Sequence, residues 1–136
     1  RHKKSFLELV QNKLDITFAN EQEILELIDA KSFDEVISFG KKLNKTLVIT
    51  RSDKGSIAIK QNEVVECESQ KGLKIVDLTG AGDLFAAGFL HGYINEMSIL
   101  ESLKKGTDMA SKIIQKIGAR LDWYRFKKIK NKFFFF

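Results

Sequence analysis

The most informative stretch of this sequence is Asp77-Leu78-Thr79-Gly80-Ala81-Gly82-Asp83. The apolar pair Ile75-Val76 precedes it, and residues 84–93 after it carry a helical pattern, so the sequence predicts a strand, a glycine-rich turn and a helix. At such a junction, backbone N–H groups and the positive end of the helix dipole face the same space and bind an anion without help from side chains. Small residues there allow a phosphate group to approach the backbone closely.

Asp83 closes this stretch, although an acidic side chain in an anion site repels phosphate. It has a chemical role there if it accepts the proton of a hydroxyl group that attacks phosphorus. Spacing argues against two other phosphate motifs. The next glycine after Gly82 is Gly88, which does not suit a dinucleotide fingerprint, and Gly82 is not followed by the Lys of a Walker A loop. An ordinary structural loop stays open on this pattern alone.

The composition is that of a globular chain of one domain, with 136 residues, 43% of them hydrophobic and 30% charged. The net charge of +5 comes largely from basic residues near the two ends, so we interpret it as solvated surface and expect no nucleic-acid partner. The single cysteine, Cys67, has no Cys or His at metal-ligand spacing and favours a reducing, cytoplasmic compartment. No apolar run reaches the roughly 18 residues of a membrane span, so we expect no membrane partner.

Strand-like and helix-like segments alternate along the chain, which predicts an α/β fold with a mainly parallel sheet and helices on its faces. Asn20 is a good N-cap for the helix that follows it. Residues 46–50 are almost continuously apolar, as in a buried strand, and residues 61–62 mark a hairpin turn. A long helix over residues 99–117 is expected to end at Gly118, which suits a C-cap.

The end of the chain, residues 122–136, follows no helical or strand period and places aromatic residues next to Lys. We therefore divide the chain into residues 1–121 and this basic, aromatic tail. The tail is either a membrane or partner anchor or the product of read-through or frameshifted coding. The absence of Pro and the abundance of Lys, Ile, Asn and Phe favour the second explanation. Because the first residue is not Met, we expect the chain to start inside a longer sequence.

The run that starts at Asp77, DLTGAGDLFAAGFLHG, resembles the C-terminal signature of the ribokinase-like (PfkB) carbohydrate and nucleoside kinases. Three further segments are similar to elements of that family. Residues 20–23 match its N-x-x-E element, residues 50–55 its T-x-G-x-x-G loop at the ATP site, and residues 117–120 the segment that closes over the adenine. The resemblance covers about residues 5–121 and is closest to the adenosine-kinase-like and sugar-kinase branch. It implies the C-terminal part of a ribokinase-like three-layer α/β/α sandwich.

The resemblance implies an ATP-dependent phosphotransferase that acts on a hydroxyl group of a sugar or nucleoside. In that family the last aspartate of the signature is the catalytic base, which is Asp83 here. The backbone amides of Gly80, Ala81 and Gly82 would form the hole that neutralises the transferring phosphoryl group.

The resemblance also implies cofactors for this chain. Mg²⁺ would be held through water by Asn20 and Glu23, because this ion keeps most of its waters. A monovalent cation would lie near Asp77 and Thr79, and the resemblance leaves open whether this cation is K⁺. Contacts with ATP are expected from Thr50, Ser52, Gly55 and Thr107. A homodimer is left open for the full-length form.

Two positions depart from the family pattern. Ser52 replaces the middle glycine of the nucleotide loop, and Thr107 falls where an adenine-facing Asn is common. Arg51 is expected either to reach a phosphate or to pair with an acidic neighbour, and Lys54 either to touch phosphate or to be solvated.

Two alternatives to an active kinase stay open. Family members carry an N-terminal half with the lid and most sugar-binding residues, and no segment here resembles it, so the chain could be a non-catalytic remnant that binds nucleotide weakly or not at all. The other alternative is a basic membrane- or nucleic-acid-binding module built on residues 122–136. The acceptor is not specified by the residues present.

Overall fold

The computed structural model describes residues 2–120, and the tail predicted over residues 122–136 lies outside the described part. Within residues 2–120 every helix is too short or too polar to traverse a bilayer. The elements follow in the order α1 (Lys3–Asn12), β1 (Ile16–Asn20), α2 (Glu21–Leu27), α3 (Phe33–Lys42), β2 (Thr46–Thr50), a 3₁₀ turn (Ser52–Lys54), β3 (Ser56–Lys60), β4 (Glu63–Cys67), α4 (Ala81–Ile94) and α5 (Ile99–Ile113).

The strands form one mixed sheet in the order β1-β2-β3-β4. β1 and β2 are parallel, whereas β3 is antiparallel to both β2 and β4. The prediction of a mainly parallel sheet is therefore wrong for the described residues, while the hairpin turn at residues 61–62 is confirmed. The reason lies in the connections: a short turn suffices between antiparallel strands, but parallel strands need a crossover of a dozen or more residues. Only β1 and β2 are separated by such a crossover, which contains α2 and α3.

Helices pack against both faces of this sheet. Successive side chains of a strand point to opposite faces, and in β2 Leu47 and Ile49 join one apolar cluster while Val48 joins the other. Residues of α1, α2 and α3 complete the first cluster. The second cluster is completed by side chains of α4 and α5, namely Phe85, Phe89 and Leu103. Burial on both faces explains why β2 is apolar throughout.

The segment between β4 and α4 differs from its prediction. Residues 68–80 contain no helix or strand, so the strand expected at Ile75-Val76 is absent. The Val76 amide donates instead to the Ile114 carbonyl, at 2.7 Å, just after α5. The side chain of Ile75 is 63% exposed. An apolar pair forms a strand only beside a neighbouring strand, and within residues 2–120 none lies next to this one.

The end of α5 is also earlier than predicted. The helix stops at Ile113, and Gly118 lies in the bend that follows, with φ of +81°. Gly118 therefore does not cap α5, although it does adopt the left-handed conformation that suggested a cap. The Val76 amide bonds the carbonyl of Ile114, which lies at the helix end, and so takes part of the role expected of a cap.

α4 and α5 approach each other closely where glycines lie in their contact. A Cβ atom on Gly88 would lie 2.6 Å from the Lys105 carbonyl oxygen and 2.9 Å from Gly106 Cα. A Cβ atom on Gly92 would lie 2.8 Å from Ser102 Oγ. Glycine is therefore required at positions 88 and 92 by the close approach of α5.

We expect Gly88→Ala to lower the free energy of unfolding by about 1–3 kcal/mol, because α4 must move away from the backbone of α5. This loss occurs even though alanine gains about 1 kcal/mol over glycine inside a helix. Denaturant titration followed by circular dichroism measures it. Gly82→Ala is the matched control, since a Cβ atom on Gly82 meets nothing within 4 Å. Equal losses in the two variants would contradict the close contact.

Candidate active site

The glycine-rich turn lies at the N-terminus of α4, as predicted. Gly80 is the N-cap, with φ of +77°, and its carbonyl accepts the first helical hydrogen bond at 3.0 Å. The Ala81 amide donates to the Leu78 carbonyl at 3.2 Å. The amides of Gly82 and Asp83 belong to the first helical turn, where N–H groups have no acceptor inside the helix. N–H groups and the helix dipole therefore face one space, which is an anion-binding arrangement.

The same turn packs against the segment after α5. A Cβ atom on Gly80 would lie 2.8 Å from Ala119 Cβ, so both its positive φ and this contact require glycine. Residues 117–120, expected to close over the adenine, therefore lie beside the glycine-rich turn. The side chain of Asp83 is exposed in the first turn of α4, where it can be approached by a substrate hydroxyl group.

Asp77 ties the two segments together. Its Oδ1 accepts hydrogen bonds from the Thr79 hydroxyl at 2.7 Å and the Thr79 amide at 2.9 Å, and its Oδ2 accepts one from the Gly118 amide at 2.8 Å. The hydroxyl of Thr79, followed by the two amides, holds the pKa of Asp77 below its usual value. Both oxygens of this carboxylate thus accept hydrogen bonds that hold the turn and the segment after α5 together.

We expect the bond between Asp77 and Gly118 to weaken under acid. A carboxyl group with a lowered pKa contributes to stability above its unfolded pKa of about 4, and the contribution is lost as the pH falls through the lower folded value. The hydrogen-exchange protection factor of the Gly118 amide should fall over that window, and should already be low at neutral pH in Asp77→Asn. The Thr46 amide, which donates to the Asp15 carbonyl at 3.0 Å, is the control. Parallel loss of protection at both amides would indicate general unfolding instead.

A second group of predicted residues meets at the ends of β1 and β2. Asn20 is the register partner of Thr50 in this parallel pair. Asn20 Oδ1 accepts the Glu23 amide at 2.8 Å, and Glu23 Oε2 accepts the Asn20 amide at 2.9 Å. This capping box begins α2 and confirms Asn20 as its N-cap. Within residues 2–120, no cluster of three or more His, Cys, Asp or Glu is placed to hold a metal ion.

The loop after β2 has an unusual backbone conformation at two of the predicted nucleotide contacts. Ser52 has φ of +53° and Gly55 has φ of +90°. The left-handed conformation at Ser52 favours glycine, which accounts for the family's glycine at that position. The Arg51 amide closes the loop on the Gly55 carbonyl at 2.8 Å. A hydrogen bond of 2.6 Å from Ser69 Oγ to the Asp53 carbonyl holds the loop against the chain after β4.

Both basic residues of this loop pair with Glu21, a residue to which the sequence assigned no role. Arg51 Nε lies 3.1 Å from Glu21 Oε2, and Lys54 Nζ lies 3.3 Å from Glu21 Oε1. The hydrogen bond from Arg51 is the main reason that the pKa of Glu21 lies below its usual value, and Lys54 adds to the effect. Two roles were expected for Arg51, and in this structure it pairs with an acidic neighbour, Glu21. Glu21 lies 30 residues before Arg51 in the sequence, and the parallel pairing of β1 and β2 brings the two residues together.

Thr107, the last of the residues predicted to contact the nucleotide, lies in α5 and not in the loop after β2. An open groove of about 550 Å³ runs between the end of β4 and α5 and is lined by Glu66, Cys67, Glu68, Gln70, Leu100, Lys104 and Thr107. Thr107 Oγ1 is 3.8 Å from Cys67 Sγ across the groove. A Cβ atom on Gly55 would lie 2.1 Å from the Cys67 carbonyl oxygen. The loop after β2 and the groove therefore share Cys67 as a border.

Comparison with known proteins gives consistent matches. The family model for pfkB family carbohydrate kinases matches residues 2–124. An adenosine kinase from Sinorhizobium meliloti is 35% identical and superposes with a TM-score of 0.88 over 98% of this chain and 41% of its own. A probable sugar kinase from Rhizobium etli gives the same identity and TM-score over 97% of this chain and 40% of its own. A cytidine kinase from Thermococcus kodakarensis is 32% identical over 127 residues, which are 89% of this chain and 43% of that enzyme. The chain thus spans less than half the length of these relatives.

Proposed function

This chain belongs to the pfkB family of carbohydrate kinases, and on that basis we propose that it is the C-terminal part of an ATP-dependent kinase that phosphorylates a hydroxyl group of a sugar or nucleoside. The observation that carries the proposal is the N-terminus of α4, where an anion-binding turn and the exposed carboxylate of Asp83 lie together. The complete fold would be the three-layer α/β/α sandwich, to which the described residues contribute a sheet covered on both faces.

In this proposal Asp83 is the general base. Its carboxylate accepts the proton of the acceptor hydroxyl group while the hydroxyl oxygen attacks the γ-phosphorus and the bond to ADP breaks. The amides of Gly82 and Asp83 stabilise the charge on the transferring group, since they have no acceptor within α4. Gly80 shapes the turn, and its amide is proposed as a further donor to the transferring group. The Ala81 amide joins the hole only if it leaves the Leu78 carbonyl, to which it is bonded at 3.2 Å.

The ends of β1 and β2 would hold the nucleotide and its metal ion. The capping box uses Glu23 Oε2, so we assign Oε1 to a magnesium-bound water. Asn20 Oδ1 already accepts an amide and has one further lone pair for such a water. Mg²⁺ bound there would neutralise charge on the phosphates. Nucleotide contacts are proposed for Thr50, Ser52, Gly55 and Thr107.

A monovalent cation such as K⁺ is proposed beside Asp77 and Thr79. Both carboxylate oxygens of Asp77 already accept hydrogen bonds. A cation there would therefore share these oxygens with N–H and O–H donors.

Acceptor-dependent ADP formation tests the proposed function. The 136-residue chain is incubated with ATP and Mg²⁺ and with ribose, fructose, adenosine or cytidine in turn, and ADP is measured by a coupled assay. We expect one class of acceptor to raise the rate well above that with ATP alone. A nucleotide-induced rise in Tm without turnover would support a non-catalytic remnant. The absence of both turnover and a nucleotide-induced rise in Tm would contradict the proposal.

A further inference from the structure

We infer that Glu21 is a positioning residue that, through Arg51, fixes the loop between β2 and β3 against the end of β1. The loop comprises residues 51–55. Its consequence for nucleotide binding rests on the proposed function, but the positioning itself is a property of the unliganded chain. Glu21 directly follows Asn20 and lies in the first turn of α2.

The contact between Glu21 and Arg51 is partly shielded from water. The Arg51 side chain is 19% exposed and that of Glu21 is 22% exposed, with 3.1 Å between Nε and Oε2. The guanidinium group of Arg51 also lies over the ring of Phe33, 3.7 Å from its centroid. A charged hydrogen bond and a cation–π contact therefore hold the Arg51 side chain from two sides. Because Phe33 is the first residue of α3, Arg51 joins the starts of α2 and α3.

The backbone of Arg51 transmits this restraint to the loop. Its amide donates to the Gly55 carbonyl at 2.8 Å, and its carbonyl accepts the Lys54 amide at 3.0 Å. The hydrogen bonds at both ends of the 3₁₀ turn therefore involve the backbone of Arg51. Releasing the Arg51 side chain would loosen the backbone at Ser52, which already has a positive φ.

Lys54 makes the weaker contact with Glu21. Its side chain is 59% exposed, and its Nζ lies 3.3 Å from Glu21 Oε1. Ion pairs with so exposed a member contribute little, because water screens the attraction and the side chain loses freedom. Lys54 is therefore free to turn toward an anion while Arg51 keeps the loop in place. This difference supplies a matched control.

Hydrogen exchange of the unliganded chain tests the positioning. In Glu21→Gln, the protected amides of the loop, Lys54 and Gly55, should exchange at least about tenfold faster, since a charged hydrogen bond is replaced by a weaker neutral one. Amides of β2 such as Val48 should be unchanged. Arg51→Gln should give the same result, and the double variant should be no worse than either single one. Lys54→Gln should have little effect on the Gly55 amide.

Nucleotide affinity provides the second measurement. We expect Glu21→Gln to weaken MgATP binding about five- to tenfold by calorimetry, or to raise KM for ATP with kcat nearly unchanged, because the loop must be ordered on binding. Unchanged exchange of the loop in Glu21→Gln would overturn the inference. Faster exchange with wild-type MgATP affinity would support the positioning and overturn its consequence for the nucleotide, because the loop would then not serve nucleotide binding. If the unaltered chain binds no MgATP, the proposed function fails, and the positioning is decided by the exchange data alone.

Discussion

Asp83→Asn is expected to reduce kcat for phosphoryl transfer by about 10²–10⁴-fold, because an amide cannot accept the proton of the acceptor hydroxyl group. Asparagine keeps the size of the side chain and its exposed place in the first turn of α4. It also removes a negative charge that repels the phosphates of ATP. The affinity for MgATP should therefore be unchanged or higher, and the loss should appear in kcat rather than in KM.

Asp34→Asn is the matched control for this experiment. Asp34 is also an exposed aspartate in the first helical turn, that of α3. Each substitution removes a favourable interaction with a helix dipole that is worth about 0.3–1 kcal/mol, so both variants should lose a similar, small amount of stability. Only Asp83→Asn should lose turnover. An Asp83→Asn variant with undiminished kcat, or equal losses of activity in both variants, would show that Asp83 is not the base.

Features that depend on near neighbours in sequence could be predicted. The N-cap at Asn20 and the helix after Gly80 depend on residues within one turn, where propensity and capping chemistry act directly. The strand at Thr46–Thr50 is found with the predicted bounds. A run of apolar and β-branched residues between polar ones leaves little choice of where the strand begins and ends. These local features include the glycine-rich turn before α4.

Features that depend on partners far away in the sequence could not be predicted. Gly118 donates to Asp77 across 41 residues, and no pattern around either residue indicates the other. Ile75-Val76 has the composition of a strand, but it bonds the end of a helix because no strand lies beside it within residues 2–120. The direction of β3 relative to β2 is a different case. The connection over residues 51–55 is too short for a parallel crossover, and the prediction of a mainly parallel sheet did not take this into account. The family resemblance predicted which residues belong to the site, but it did not predict the contacts that hold these residues in place.

Gly55→Ala is expected to have the largest effect on stability, with a loss of roughly 3 kcal/mol or more from backbone strain and displacement together. Gly55 has φ of +90° and ψ of −138°, a conformation that side chains other than glycine's hardly adopt. Its Cβ atom would also lie 2.1 Å from the Cys67 carbonyl oxygen and 2.9 Å from the Ser69 amide nitrogen. Both contacts are with backbone, so no side chain can rotate to relieve them. In thermal denaturation the loss corresponds to a fall in Tm of roughly 10 °C.

Gly72→Ala separates the two causes of this loss. Gly72 also has a positive φ, of +72°, but a Cβ atom there meets nothing within 4 Å. Alanine at Gly72 should therefore cost only the conformational strain, about 1–2 kcal/mol. The difference between the two variants gives an upper limit for the contact of the loop with the chain after β4, because ψ of −138° at Gly55 adds backbone strain of its own. Because Cys67 borders the groove that contains Thr107, relief of the clash in Gly55→Ala must move one wall of the proposed nucleotide site, and MgATP affinity should fall in this variant but not in Gly72→Ala. Equal losses of stability in the two variants would contradict the close approach of this loop to Cys67.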